Sequence, residues 1–246
     1  MKLLLGFFCL FSIKSCGQNN MQNLSRTEQA ALAYHTILVP ILQQKEIDTI
    51  PNFLFLRAFK KEQQLELWAS NSKQLQLIAT YKFTAFSGKL GPKHKEGDKQ
   101  IPEGFYEIDL FNPASQFFLS MRVNYPNKRD KIVNANEAKI GSDIYIHGSN
   151  VSIGCIAIGN NKIKELYYIC NLYYKKQNKN IPIQIYPCKM TAPNIKALEN
   201  SFGKTHPYFS LWKPMVQYYQ FFEKNHTLIN TTVDEKGVYK FVLPTN

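Results

Sequence analysis

The sequence has no CxxC pair, no HExxH and no other ligand spacing among its five histidines and five cysteines. A metal centre is therefore unsupported, and no cofactor is expected. Acidic residues are scarce beside basic ones, 18 against 30, giving a net charge of +12. The excess is mostly lysine in short groups such as "KHKEGDK", and no run of five or six basic residues occurs. With no nucleic-acid motif either, nucleic acid is not an expected partner; an anionic cell wall or membrane surface fits such a charge. Internal repeats and low-complexity segments are absent. No apolar run at the N-terminus reaches bilayer length, since Leu3 to Ile13 is eleven residues.

Hydrophobic residues make up 44% of the chain and aromatics 13%, the balance of a globular protein with a full core. The first twenty residues, "MKLLLGFFCLFSIKSCGQNN", place Lys2 before a short apolar run, the shape of a secretory signal. Ser15-Cys16-Gly17 resembles a bacterial lipoprotein signal, which implies lipidation at Cys16 and a membrane anchor through the N-terminal lipid. Lys14 departs from the usual small or apolar residue before the cleavage site, and ordinary cleavage or an uncleaved anchor are the alternatives. With Cys9 and Cys16 in this leader, Cys155, Cys170 and Cys188 remain, as free thiols or as one disulfide and one free thiol.

Residues 17–50 read as a polar tether, up to about residue 30, followed by a helix in "QAALAYHTILVPILQQK". Strand-like runs follow: "NFLFLRAF", "LELWAS", "LQLIATYKFTAF", "FYEIDL", "FFLSMRV", "IYIH", "IGCIAI" and "IPIQIYP". Two long polar loops interrupt them, 87–104 and a second within "NYPNKRDKIVNANEAKIGSD". A helix capped by Asn160 or Asn161 is expected with Ile163, Leu166, Tyr167, Cys170 and Tyr174 on one face, which makes Cys170 a buried structural thiol. The predicted fold is a mainly β domain over 51–190 with few helices, and a helical and β-hairpin C-terminal extension over 191–246.

The stretch "IHGSNVSIGCIAIGN" crowds glycines and serines between His147 and Cys155, a composition unsuited to a buried strand. If "IYIH" and "IGCIAI" pair as a hairpin, His147 faces Ile153 and Cys155 is its diagonal neighbour on the same face. Imidazole and thiol can then meet, and a protonated imidazole raises the thiolate fraction. Gly154 permits close approach of a substrate carbonyl, and the amides of Gly154 and Cys155 can face an oxyanion.

"HG…SIGC" resembles the signature of the YkuD-type L,D-transpeptidases, exported bacterial enzymes acting on peptidoglycan stem peptides. "LELW", "SGKLGPKHKEGDKQIPEGFY", "IYIHGSNVSIGCIAI" and "IQIYPCKMT" follow the order of the YafK-like branch, so the resemblance covers roughly residues 52–191. It implies a β-sandwich with Cys155 as nucleophile, His147 as base, and the Gly148 carbonyl orienting the imidazole. Ser152 and Gly154 are implied to shape the oxyanion pocket. In the loop 87–104, Lys93, Lys95 and Asp98, with His94 and Lys99 beside them, are candidate contacts to an acidic stem peptide, although any single lysine there reads equally as a solvated charge. Ala157 stands where most of the family has arginine, and Ser149 where the branch has aspartate. The branch shares the short loop and the alanine, and its known activities include hydrolysis of the link between diaminopimelate and a lysine of a wall-attached lipoprotein.

The expected function is thus a cysteine acyl-enzyme in the bacterial periplasm or envelope. It would act on the diamino-acid carbonyl of stem peptides, with water, another amine or a wall-attached protein as partner. The alternatives are a cross-linking transpeptidase proper, a wall-binding module without turnover, or an intracellular thiol enzyme if the N-terminus is not a signal.

Overall fold

A computed structural model describes residues 24–242. Cys16 and the leader lie outside the described residues. The chain opens with α1 (Arg26–Ala33), which runs through a π-helical turn (Tyr34–Leu38) into α2 (Val39–Gln44). Ser25 accepts from the Glu28 amide while Glu28 reaches back to the Ser25 amide, a reciprocal cap that starts the helix inside the segment read as tether.

Eight strands form one curled sheet in the order β3-β2-β1-β8-β4-β5-β6-β7. They are β1 (Phe53–Phe59), β2 (Gln64–Ser70), β3 (Gln76–Lys82), β4 (Gly104–Asn112), β5 (Ser120–Val123), β6 (Ile144–His147), β7 (Ile156–Ala157) and β8 (Ile181–Tyr186). Two pairings are parallel, β1 with β8 and β6 with β7; the others are antiparallel. Beyond β3 the chain reaches the opposite end of the sheet. There the Thr84 amide donates to the Ala157 carbonyl (2.8 Å), and Ala85 bridges Ala157.

Alternation along β1 feeds two cores. Leu54, Leu56 and Ala58 join the main one, with Tyr34, Leu38 and Leu42 from the N-terminal helices and Ile163, Leu166 and Cys170 from α4 (Gly159–Gln177). On the opposite face Phe59 packs with Tyr186, Met190, Trp212 and Met215, and Phe55 with Trp68 and Phe222. A strand covered on both faces needs apolar residues at nearly every position, which "FLFLRAF" supplies. The second cover comes from the C-terminal segment, α5 (Ala192–Phe202), α6 (Phe209–Asn225) and the hairpin of β9 (Asn230–Val233) with β10 (Tyr239–Val242). The mainly β architecture with a helical and β-hairpin C-terminal segment is as the sequence predicted.

Three local expectations are corrected. The loop after β5 contains α3 (Lys128–Val133), started by an Asn127–Asp130 capping box that the sequence displays and its polarity obscured. The N-cap of α4 is Ile158, not Asn160 or Asn161. Asn160 instead accepts the Ser149 amide at 2.7 Å and so holds the loop 148–152. The third concerns β6 and β7, below. Among the described residues no helix is long and apolar enough to cross a membrane.

Candidate active site

β6 and β7 do not form the expected hairpin. They run parallel, with Ile146 beside Ile156 and His147 beside Ala157. The loop between them folds back instead of turning tightly, because Ser149 takes a left-handed conformation (φ 64°), held by Asn160 and by the Thr84 hydroxyl on the Ser149 carbonyl (2.7 Å). Facing survives the change of direction, since period-two alternation is independent of polarity. Ile146 and Ile156 point to the core, leaving Tyr145, His147, Ala157 and, one step before the strand, Cys155 on the other face.

His147 is 1% exposed beneath the Phe117 ring, with centroids 4.6 Å apart. Its Nδ1 lies 2.5 Å from the Gly148 carbonyl. A carbonyl only accepts, so Nδ1 carries the proton and Nε2 is left with a free lone pair. Gly148 cannot be larger: a Cβ there would fall 2.6 Å from Asn160 Oδ1 and 2.7 Å from the Phe117 carbonyl. Burial holds the imidazole below its ordinary pKa, and the Gly148 carbonyl only partly offsets this.

Cys155 is half-buried in the bend before β7. Burial pushes its thiol up; the Tyr145 amide and the Lys93 ammonium pull down, and Asp143 pushes up again. Desolvation thus disfavours the charged form of each group, imidazolium and thiolate alike. Ser152 organises the bend: its hydroxyl donates to the Cys155 carbonyl (2.7 Å) and accepts the Gly154 amide (3.2 Å). Gly154 sits at φ 125° with the Gln100 carbonyl 3.0 Å from where a Cβ would be.

That carbonyl belongs to the long loop, which the structure shows to be folded around a buried pair. Lys60 Nζ meets Glu103 Oε1 at 2.9 Å with both side chains fully buried. Lys60 also donates to the carbonyls of Gly91 and Ile101, while Glu103 accepts from the Gly91 amide and Trp212 Nε1. Both ends of the loop are thereby tied to the turn after β1 and to α6. Neither residue was singled out from the sequence, where a lone Lys and Glu look like surface charges.

Within the loop, Asp98 accepts from Lys93 Nζ (2.6 Å) and from the amides of His94, Lys95 and Gln100. Burial pushes the Asp98 carboxyl up, but these donors outweigh it and hold it below the ordinary range. Lys93 is 5% exposed, whereas Lys95 is exposed. A cleft of about 290 Å³ opens at Cys155, with Lys93, Glu96, Gly97 and Lys99 on one wall and Gly141, Ser142, Asp143 and Ile144 on the other. Ile153 also lines it, and His147 lies outside this lining. Asp143 and Ser142 were missed in the sequence because they close a polar loop with no motif. Cys170 and Cys188 are buried and free, and burial raises both thiols, Cys188 to about 12.

The chain is 30% identical over 187 residues to YafK of Escherichia coli (strain K12), covering 75% of this chain and 72% of that protein. Among solved structures, the helical cell shape determining protein Pgp2 of Campylobacter jejuni aligns at a TM-score of 0.45 and 19% identity, over 75% of this chain and 74% of that one. Bd1075 of Bdellovibrio bacteriovorus aligns at 0.39 and 18%, over 76% of each chain. The YkuD L,D-transpeptidase catalytic domain matches residues 55–185, more than half of the sequence, and the chain belongs to that family.

Proposed function

We propose that the protein is a cysteine acyl-transfer enzyme of the bacterial envelope that acts on peptidoglycan stem peptides. The observation that carries this reading is the shared face of His147 and Cys155, with Nδ1 committed to the Gly148 carbonyl and Nε2 free as base. As the sulfur attacks the carbonyl at the L-centre of the diamino acid, Nε2 takes the thiol proton. The oxyanion forms against the Cys155 amide and the Ser152–Gly154 turn. Collapse expels the amine, which leaves with the proton held by the imidazole, and a thioester remains on Cys155. Water or a second amine then takes the acyl group and restores the thiol. Because burial disfavours both charged forms, the proton moves during attack.

Water is the favoured acceptor. Ala157, buried beside His147, stands where cross-linking members of the family carry arginine, and the loop 148–152 is short. The enzyme is therefore read as freeing an amine from diaminopimelate faster than it forms new cross-links. A lipid anchor at Cys16 would hold it at the membrane; fatty-acyl mass on the mature N-terminus is the measurement for that part. Pure protein incubated with defined muropeptides and excess acceptor amine, with products read by mass spectrometry, tests the rest. Cleaved product from the native enzyme and none from a folded Cys155→Ala variant is the expected result. Mostly cross-linked product would overturn hydrolysis alone, and turnover by Cys155→Ala would overturn the nucleophile.

A further inference from the structure

The imidazole of His147 is covered by an aromatic ring to which the acyl transfer described above gives no part. Phe117 stacks on it with the ring planes 32° apart and the centroids at 4.6 Å. His147 is left 1% exposed, but Phe117 itself is 40% exposed. A ring that open gains little from the core, so its place over the imidazole depends on its loop.

That loop, residues 113–119 between β4 and β5, is pinned in three ways. Within it, the Phe117 amide donates to Ser115 Oγ (3.1 Å) and the Phe118 amide to the Ser115 carbonyl (3.2 Å). Phe118 sits at φ 76°, a left-handed position that a bulky side chain takes only where its surroundings hold it. Towards the site, the Gly148 amide donates to the Leu119 carbonyl (3.2 Å), and the Phe117 carbonyl fills the space a Gly148 side chain would need. Towards the N-terminus, Arg26 at the start of α1 donates from Nη1 to the carbonyls of Ser115 (2.6 Å) and Phe118 (2.8 Å). Its guanidinium also lies 5.4 Å over the Phe118 ring, and Lys164 of α4 lies 5.5 Å over the same ring. Two charge-assisted bonds, one on each side of Phe117 in the chain, hold its backbone.

Resting on the reading of His147 as the base, we infer that Phe117 is a positioning residue for the imidazole and that Arg26 holds Phe117 in place. The stacked ring opposes rotation of the imidazole away from the Gly148 carbonyl, so Nε2 stays directed to the face it shares with Cys155. It also keeps water from one face of the imidazole, which disfavours imidazolium at rest. Once Nε2 has taken the thiol proton, the same π face lies over a cation, an attraction made only as the attack proceeds. The other titratable side chains on this face are Cys155 and Tyr145, and β5 presents uncharged Ser120 opposite the imidazole. The cations of α1 and α4, Arg26 and Lys164, lie over Phe118 rather than over His147. The N-terminal helix is thereby part of what supports the base.

The test is an NMR titration of the His147 ring, its signal assigned by its loss in His147→Gln. It is run on the native protein, Phe117→Ala, Phe117→Tyr, Arg26→Ala and the Phe117→Ala/Arg26→Ala double variant, beside thermal unfolding and turnover of defined muropeptides across pH. Phe117→Ala should move the His147 titration up towards the ordinary histidine range and lower turnover about tenfold or more, mainly in kcat. Phe117→Tyr should keep both near native. Arg26→Ala should shift both in the direction of Phe117→Ala but less, and should add nothing in the double variant. A folded Phe117→Ala with native titration and native kcat overturns the inference. Additive losses in the double variant overturn the part given to Arg26. Should Phe117→Ala not fold, Arg26→Ala alters only an exposed side chain and carries the same test, with a native titration and native kcat again overturning the inference. A titration that moves in the variants of a protein with no muropeptide turnover overturns acyl transfer and supports the positioning.

Discussion

The ammonium of Lys60 and the carboxylate of Glu103 lie 2.9 Å apart, and neither side chain is exposed to solvent. The pair is far from the thiol in sequence, yet it fixes the loop whose Gln100 carbonyl abuts Gly154. Burial lowers the Lys60 pKa and Glu103 works against it. Glu103→Gln leaves an unpaired charge in the core and should destabilise the fold by about 3–5 kcal/mol. Adding Lys60→Met should recover part of that loss. Urea unfolding of the three proteins measures both, and a loss under about 1 kcal/mol for the single variant would mean the pair is not what pins the loop.

Gly154→Ala should fold less stably and lose most activity. The residue sits at φ 125°, where an L side chain is strained, and its Cβ would press on a backbone carbonyl that cannot swing away. The strain is worth about 1–3 kcal/mol. Thermal unfolding beside muropeptide conversion tests it; wild-type values in both would show that the bend is not needed in this form.

Acid should weaken the fold through His147. Its folded pKa lies below the ordinary 6.5, so the unfolded chain takes the proton first. The contribution is complete above 6.5 and is lost as pH falls through the folded value. Asp130, raised to about 6 chiefly by burial, acts in the opposite sense and loses stability as pH rises from about 4 to 6. His147→Gln removes only the first effect, so its stability should fall less steeply below pH 6.5 than that of the native protein. Parallel slopes would mean the imidazole is not desolvated. In the native enzyme the acid limb of kcat/KM should likewise lie below the ordinary histidine range.

Cys170→Ala with Cys188→Ala should cost roughly 1–2 kcal/mol in lost packing and spare the chemistry. Both thiols are buried and raised by burial. Iodoacetamide should still label Cys155, identified by peptide mass mapping, with a rate that climbs above the ordinary thiol pKa because that thiol is raised too. A folded double variant that no longer labels would put the nucleophile elsewhere.

Much of this was legible in the sequence, and the omissions have physical causes. Strands β1, β2 and β8 announced themselves because a strand covered on both faces is mostly apolar, even though Arg57, Glu66 and Gln184 interrupt them. His147 and Cys155 stood out because glycines and serines crowd the interval between them. The parallel pairing of β6 and β7 was hidden, since alternation reports facing and not direction. Helix α3 was masked by its charge, six residues being too few to show an apolar face. Lys60 and Glu103 were unreadable because burial of a charge depends on a partner 43 positions away. Asp143 gave no sign because the cleft wall it forms faces a loop distant in sequence.

The bridge between Ala85 and Ala157 bears on how the chain avoids its own kind. The two-residue strand after Cys155 would otherwise leave open amides and carbonyls at the sheet margin, a template for a second chain. By laying residues 84 and 85 along that margin, the protein seals it with its own backbone. The same bridge ties the segment after β3 to the short strand that follows Cys155, so one backbone contact both closes the sheet margin and braces the bend that carries the thiol.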